Sequence, residues 1–587
     1  MTDSHNQRLR RAIPVLALAT VAFLIGLIVG ANHGSSPSIA LADRFVQAWS
    51  RGDYAAMYSE ITPSARHEVS PSEFVADYEA DTRTATAAAR SIAGRARSLG
   101  GGLVAVPVRV HSRLWGVLSL HYTLRTVSEE GKTRVAWTRS EGFPGVPSGS
   151  TLSRRTTLPR RATLLARDGS VLAESPPEGE SGPRNTPLGA LGSAVVGELG
   201  PIPASRRHAL EGEGVPGDAE VGVSGLERSL DDRLRGRPGG ELLAGSAILA
   251  SAPAKPSPAL RTTISTSVQQ AAVTALGGQL GGVVAMRPSD GQILAVAGIG
   301  LEGLQPPGST FKIITVSGAL SSHVATPRTV FPYASYATLD GVRLNNANGE
   351  NCGGSLELAF AVSCNSVFTP LGVKLGAQRL VAMAEKFGFN KDTGLPGAAT
   401  STLPAASQIK GELAVGSSAI GQGEVLATPL QMLLVAAAIA DGGHRPAPSF
   451  TVDSPRGGAQ AVSPSVARTV RHLMTEVVRQ GTGTSAAIPG VVVAGKTGTA
   501  ELKSACTSPA KEHESKESEQ GESEPHKGEG CQVGESNPSN TDAWFTAFAP
   551  AVHPRIAVCV MLVKDGAGGD TAAPVARQVL EAGLHGS

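Results

Sequence analysis

The chain has 587 residues, 41 % of them hydrophobic, which leaves room for roughly three or four domains. Its formal net charge is +2 and it has no basic stripe interleaved with aromatics, which argues against a nucleic-acid partner. Five cysteines (Cys352, Cys364, Cys506, Cys531, Cys559) include no Cys-x-x-Cys pair, so neither a zinc ribbon nor a thioredoxin-type site is expected. No metal and no cofactor are expected.

Residues 1–11 carry Arg8, Arg10 and Arg11, and residues 12–31 are uncharged and almost wholly apolar. About 20 such residues span a bilayer as a helix. No small-x-small cleavage site follows, so an uncleaved anchor is expected rather than a signal peptide. The arginines before it place residues 1–11 in the cytoplasm and the rest outside. The expected location is a single-pass protein of the cell membrane.

Residues 38–148 read as a small α+β domain. Helical stretches are expected at 39–58 (with a turn at Arg51-Gly52-Asp53), 71–78 and 85–99. Strands are expected at 102–110, 114–127 and 133–138. Helices followed by a meander resemble the nuclear transport factor two-like domain at the front of MecA-type penicillin-binding proteins. The expected role is that of a spacer or docking module.

Residues 159–173 read as a β-hairpin around Asp168-Gly169, a strong turn signal between apolar strands. A helix is expected over 226–234, residues 176–187 as a loop, and 234–258 as a low-complexity bridge. The hairpin and helix resemble the pedestal, or dimerisation, domain of class B penicillin-binding proteins, here placed at 153–250. Arg161 and Glu227 fit its structural charges.

The last domain is expected at 260–587. A short strand at 260–264 and a helix at 266–276 lead to an antiparallel pair around the turn Pro288-Ser289-Asp290-Gly291. Then comes Pro306-Pro307-Gly308-Ser309-Thr310-Phe311-Lys312, a turn running into an apolar helix. Positions i and i+3 share a helix face, so Ser309 and Lys312 are expected side by side, a nucleophile with a base. Two other Ser-x-x-Lys matches exist, at Ser407 and Ser508. Only Ser309 is followed by Ser363-Cys364-Asn365 and then, after a β-branched run, by Lys496-Thr497-Gly498-Thr499.

Ser-x-x-Lys, Ser-x-Asn and Lys-Thr-Gly in that order are the signature of the serine penicillin-recognising enzymes. From about residue 155 onward the chain resembles class B penicillin-binding proteins, the monofunctional D,D-transpeptidases of cell-wall synthesis. The resemblance implies an α+β multidomain protein with a single N-terminal transmembrane helix, a nuclear transport factor two-like domain, a pedestal, and a penicillin-binding/β-lactamase-like domain with an antiparallel sheet flanked by helices. Ser309 is the expected nucleophile. Lys312 is its base, made neutral by burial and by Lys496. Ser363 relays the proton, Asn365 holds the substrate backbone, and Lys496, Thr497 and Thr499 receive a carboxylate. Gly498 leaves room for the substrate as an added strand. The resemblance also implies an oxyanion hole from the backbone N–H groups of Ser309 and Thr499.

Gly421-Gln422-Gly423 with the run that follows, and 542–550, resemble further family elements; Gln422 is expected to be structural. Cys364 is a small core residue, a reactive thiol, or half of a disulfide with Cys352. A segment at 502–541, rich in Glu, Ser, Lys and Gly, has a disordered composition. A Cys506–Cys531 staple is expected there in preference to a metal site with His513 and His526, and the segment stands where it could gate access. Expected partners are stem peptides and lipid-linked precursors, β-lactams, and membrane proteins of the cell-wall machinery. The alternatives are a β-lactam hydrolase on the same scaffold and a catalytically weak scaffold of the division or elongation machinery.

Overall fold

The computed structural model describes residues 36–177, 183–453, 457–502, 532–533 and 540–585. The expected anchor at 12–31 and the expected Cys506–Cys531 pair lie outside these residues. Among the described residues no helix is long and apolar enough to cross a membrane. The chain folds as two units, one of residues 1–160, 202–219 and 236–256, the other of residues 161–201, 220–235 and 257–587.

The described part of the first unit opens with four helices. α1 (Pro37–Arg51) is capped by Ser36 and ends at Gly52, whose φ of 73° suits only a residue without a side chain to clash. Asp53 then caps α2 (Tyr54–Glu60), so the Arg-Gly-Asp turn stands where expected. α3 (Pro63–Glu68) and α4 (Pro71–Thr84) follow, α4 with a Ser70/Glu73 capping box.

The stretch 85–99 is not helical. It forms β1 (Ala87–Ile92) and β2 (Arg97–Gly100), both paired antiparallel with β3 (Leu103–Ser112). Its Ala-rich pattern has helical propensity, but β3 offers an open ladder and pairing overrides the weak local preference. β4 (Gly116–Glu129) and β5 (Lys132–Val135) complete the sheet. Leu41, Phe45 and Trp49 of α1 are buried together with Val106, Val108, Tyr122 and Leu124 of the strands.

The expected bridge at 234–258 is also strand. Gly239–Ala244 pairs with Ala247–Ala252 on one side and with Leu152–Thr157 on the other. The Gly-Gly and Ala-Gly-Ser pairs that look like low complexity are the start of a strand and a tight turn, with Gly245 at φ 62°.

In the second unit the Asp168-Gly169 hairpin forms as expected, joining Leu164–Leu165 to Val171–Ala173. The 226–234 helix breaks at Leu230 into Gly225–Ser229 and Asp231–Leu234. Beside it Arg161 and Arg184 meet Glu227, while Arg161 and Arg235 meet Asp231 at 2.8 Å each. All five side chains are at most 9 % exposed.

The main sheet of this unit has five antiparallel strands. In chain order its elements are α5 (Thr266–Leu276), β6 (Gly281–Met286), β7 (Ile293–Gly298), α6 (Lys312–Ser321), α7 (Leu356–Ala361), α8 (Asn365–Leu375), α9 (Pro429–Ala440), α10 (Pro464–Gln480), β8 (Ala494–Glu501), β9 (Thr541–Ala549), β10 (Ile556–Leu562) and α11 (Ala572–His585). The strand order is β7-β6-β10-β9-β8. Both faces are buried, which is why these strands read as unbroken apolar runs. Phe545 and Val560 join Val579 and Leu580 of α11 on one face. Trp544, Phe548 and Met561 join Leu430 and Leu433 of α9 on the other. β8 is the edge strand, and it carries the Lys-Thr-Gly motif.

Candidate active site

Ser309 does not open the α-helix. It sits in a 3-10 turn, Gly308–Phe311, that runs into α6 at Lys312. The turn is held tightly. The Gly308 N–H donates to the Gly421 carbonyl at 3.0 Å, and Thr310 Oγ1 donates to the Pro307 carbonyl at 2.7 Å. Gly308 has φ 52°, and a Cβ there would lie 2.6 Å from the Thr499 carbonyl oxygen. A Cβ on Gly421 would strike the Gly308 carbonyl. Thus the Gly421-Gln422-Gly423 turn backs the serine turn through the main chain of Gly421.

The structure brings Ser309, Lys312, Ser363, Asn365 and the Lys496 strand into one region. Lys312 is fully buried. Its Nζ donates to the Ser363 carbonyl at 2.6 Å and to Asn365 Oδ1 at 2.6 Å, and it lies 3.3 Å from Ser363 Oγ. Lys496, also fully buried, donates to Ser363 Oγ at 2.8 Å and to the Thr497 carbonyl at 3.1 Å. Ser363 Oγ therefore stands between two amines. Each amine also faces a ring, Lys312 that of Phe368 and Lys496 that of Phe360, both at 5.5 Å from the centroid. Ser309 Oγ has no hydrogen-bond partner among the described residues and is partly exposed.

Neither ammonium has a carboxylate partner among the described residues, so burial acts on both unopposed. It drives Lys312 well below its ordinary value, and the charge on Lys496 adds to the effect. Burial brings Lys496 down to about 7. Both shifts favour the neutral amine, and a charge on either lysine opposes one on the other. A neutral lysine has two N–H groups and one lone pair. The Ser363 carbonyl and Asn365 Oδ1 take both N–H groups. The lone pair remains for a hydroxyl proton.

Ser363 has φ 59°, an uncommon conformation for a residue with a side chain. The bend after α7 holds it there: its N–H donates to the Phe360 carbonyl at 3.1 Å and that of Cys364 to the Ala359 carbonyl at 2.9 Å. Cys364 forms a disulfide with Cys352, which settles the three readings of that thiol. Asn365 opens α8 and is used at both ends of its amide, since Nδ2 donates to the Asn345 carbonyl at 2.9 Å. In this structure it orients Lys312.

On β8, Gly498 lies against the serine turn. A Cβ there would come 2.7 Å from the Pro307 carbonyl and 3.0 Å from Thr310 Cγ2. The glycine thus makes room for the protein's own turn, where the sequence suggested room for a ligand. The Thr497 and Thr482 hydroxyls are 2.6 Å apart. Thr499 Oγ1 accepts from the Gly568 N–H at 3.4 Å and is partly exposed.

Sequence reasoning missed three participants. Thr482 links the Ala361 carbonyl, at the end of α7, to Thr497 on β8. Asn345 acts through a carbonyl, which no side-chain pattern reports. Gly568 approaches from the loop before α11. Of the 502–541 segment, Gln532–Val533 is described; it pairs in parallel with Arg343 and Leu344, on the strand that ends at Asn345.

Residues 281–581 match the penicillin binding protein transpeptidase domain, and residues 179–247 match the penicillin-binding protein dimerisation domain. The chain belongs to the penicillin-binding protein transpeptidase family. It is 34 % identical over 398 residues to the peptidoglycan D,D-transpeptidase PbpA of Mycolicibacterium smegmatis, covering 55 % of this chain and 72 % of that one. The penicillin G acyl-enzyme complex of penicillin-binding protein A from M. tuberculosis superposes with a TM-score of 0.54 at 27 % identity, over 73 % of this chain and 100 % of that one. PBP2 of Pseudomonas aeruginosa, in complex with WCK 5153, gives 0.58 at 26 %, over 74 % and 98 %. Family membership and the two matched domains place the chain among the class B proteins.

Proposed function

We propose that this chain is a peptidoglycan D,D-transpeptidase that works through an ester on Ser309. The observation that carries the reading is a fully buried lysine, Lys312, three residues after Ser309, bonded to the Ser363 carbonyl and Asn365 Oδ1 and with no carboxylate partner among the described residues. Ser309 Oγ attacks the carbonyl of the penultimate D-Ala of a stem peptide, and its proton passes to Lys312 Nζ. The bond to the terminal D-Ala breaks. That leaving amine takes its proton through Ser363, fed by Lys312 or Lys496. An acceptor amine then attacks the ester, its proton returns along the same path, and a cross-link forms. The N–H groups of Ser309 and Thr499 hold the oxyanion; losing one such donor typically costs about 10²–10³ in rate. Lys496 and Thr499 receive the substrate carboxylate, or that of a β-lactam, which Ser309 opens to a slowly hydrolysed ester.

The setting is read from the rest of the chain. Residues 12–31 are a single membrane anchor, with 1–11 cytoplasmic and the catalytic unit outside; the arginines before an uncharged apolar run support this. The four helices and five-stranded sheet of the first unit support a MecA-type, nuclear transport factor two-like spacer. Partners are lipid-linked precursors and membrane proteins of the cell-wall machinery. The test is to incubate the protein with a stem pentapeptide donor and an amine acceptor and to detect the cross-linked product by mass spectrometry. Product from the wild type and none from Ser309→Ala is expected. Free D-Ala without cross-links would make the chain a hydrolase, and unreacted donor would make it a scaffold.

A further inference from the structure

Charge is unevenly spread along the first unit, although residues 37–86 also hold Arg44, Arg51, Arg66 and Arg83. Residues 37–86, the helical part, hold eight acidic residues. Residues 87–128, which form β1 to β4, hold six arginines and no aspartate or glutamate. Arg90 turns inward over Trp49 and Tyr54. Arg95, Arg97 and Arg109 are exposed and form no ion pair among the described residues, and Arg125, also exposed, interacts with the largely buried Glu141 carboxyl without forming a close ion pair.

The arginines nearest the point where the chain enters this unit have a particular setting. Thr126 Oγ1 lies 2.9 Å from Ser38 Oγ, at the start of α1, and 2.9 Å from the Gly102 carbonyl, in the β2–β3 turn. That turn is Leu99-Gly100-Gly101-Gly102. The three glycines have φ of 88°, 57° and 77°, and beside Gly100 and Gly101 the space is open. Leu99 is 60 % exposed. Arg125 is the ladder partner of Leu103, and Arg97 that of Ala105, so both flank the turn. The nearest acids along the chain, Glu129 and Glu130, stand at the β4–β5 turn, where Glu129 is the ladder partner of Lys132.

We propose that this end of the unit is a membrane-contacting tip, with Leu99 seated at the boundary of headgroups and acyl chains and Arg97 and Arg125 paired with phosphates of anionic phospholipids. The proposal rests on the reading of residues 12–31 as an anchor. Five residues, 32–36, separate that run from α1, and five residues reach at most about 18 Å. The entry point, and the turn bonded to it, is thereby kept within reach of headgroups. The chemistry suits them: guanidinium forks pair with phosphate in two-point contacts, and a lone exposed leucine on a bare glycine turn inserts at little steric cost. The tether favours lipid over a soluble polyanion, because it holds the tip at the bilayer whatever else is present.

The test uses the full chain in nanodiscs of neutral phosphatidylcholine and of the same lipid with phosphatidylglycerol, with amide hydrogen exchange read over residues 95–103. Exchange is expected to be slower with the anionic lipid. Arg97→Glu combined with Arg125→Glu should lose that protection, and Leu99→Ser should weaken it, while penicillin labelling stays unchanged in both. Retention in vesicles after alkaline carbonate reports the anchor separately. Retention with equal exchange in the two lipids overturns the tip and leaves the anchor standing. Release by carbonate overturns the anchor and the tip with it. Protection that survives the double Arg→Glu change overturns the phosphate pairing. Protection conferred by polyphosphate in neutral discs, with none from phosphatidylglycerol, assigns the face to a soluble polyanion and overturns the lipid assignment.

Discussion

Lys312 is the base of the proposed reaction, and its burial has a thermodynamic signature. Its folded value lies well below the ordinary 10.5 that it regains on unfolding. Between those two values the unfolded chain binds the extra proton, so stability rises with pH across that window and falls as pH drops through it, by about 1.4 kcal/mol per pH unit. Lys312→Met removes the ionisable group and keeps most of the volume. The variant is expected to be acylation-dead yet more stable than the wild type, with a melting-temperature advantage that grows as pH falls and vanishes above the ordinary lysine value. Scanning calorimetry over that range checks it; a wild type that gains stability relative to Lys312→Met on acidification would show that the lysine is buried charged. Lys312 and its serine were legible in the sequence because they sit three residues apart on one turn. The Asn345 carbonyl and Thr482 were not, because a main-chain oxygen and a hydroxyl between two elements leave no pattern. Asn365 was found by its motif, but its tie to Lys312 required coordinates, since the two are 53 residues apart.

At the scale of elements, the site is a serine turn clamped between the edge strand β8 and the Gly421 turn. Three glycines, Gly308, Gly421 and Gly498, permit the contact. Gly308→Ala would add a methyl 2.6 Å from the Thr499 carbonyl at a φ of 52°. Both strain and overpacking act, so a loss of about 1–3 kcal/mol is expected, with a fall in acylation rate, since the oxyanion donors proposed at Ser309 and Thr499 would move apart. Urea unfolding and acylation kinetics measure the two effects; a variant with wild-type stability would show that the clamp is loose. The same scale shows where sequence reading fails. Most apolar strands of the main sheet were legible because burial on both faces leaves unbroken runs, but the central strand β10 was not read from the sequence. The 85–99 stretch was read as helix because alanine and arginine favour one in isolation, and only β3 beside it decides for strand. At 234–258, glycine repeats hid a hairpin whose third strand, Leu152–Thr157, lies some eighty residues earlier.

Across the molecule, the second unit joins its hairpin segment to its short helices through Arg161, Arg184, Glu227, Asp231 and Arg235. Glu227 is fully buried and meets two guanidinium groups. Removing one charge from such a cluster leaves the others uncompensated, which typically costs about 3–5 kcal/mol. Glu227→Gln should therefore lower the melting temperature without altering the site's chemistry, so that acylation per folded molecule is unchanged. A large loss of acylation in folded Glu227→Gln would instead tie this cluster to catalysis. The order of the three motifs made the catalytic unit legible from sequence, whereas most of the chain's alternation between two units was not, because only the last crossing, in the Pro-rich 253–258, carries a compositional mark. The proposed reaction requires a covalent bond at one oxygen, Ser309 Oγ. Intact-mass and peptide-mapping mass spectrometry after exposure to penicillin tests it most directly. One adduct per chain is expected, mapped to Ser309, persistent after removal of the drug, and absent from Ser309→Ala. An adduct at Ser407 or Ser508, or rapid conversion of penicillin to its hydrolysed form with no adduct retained, would contradict it.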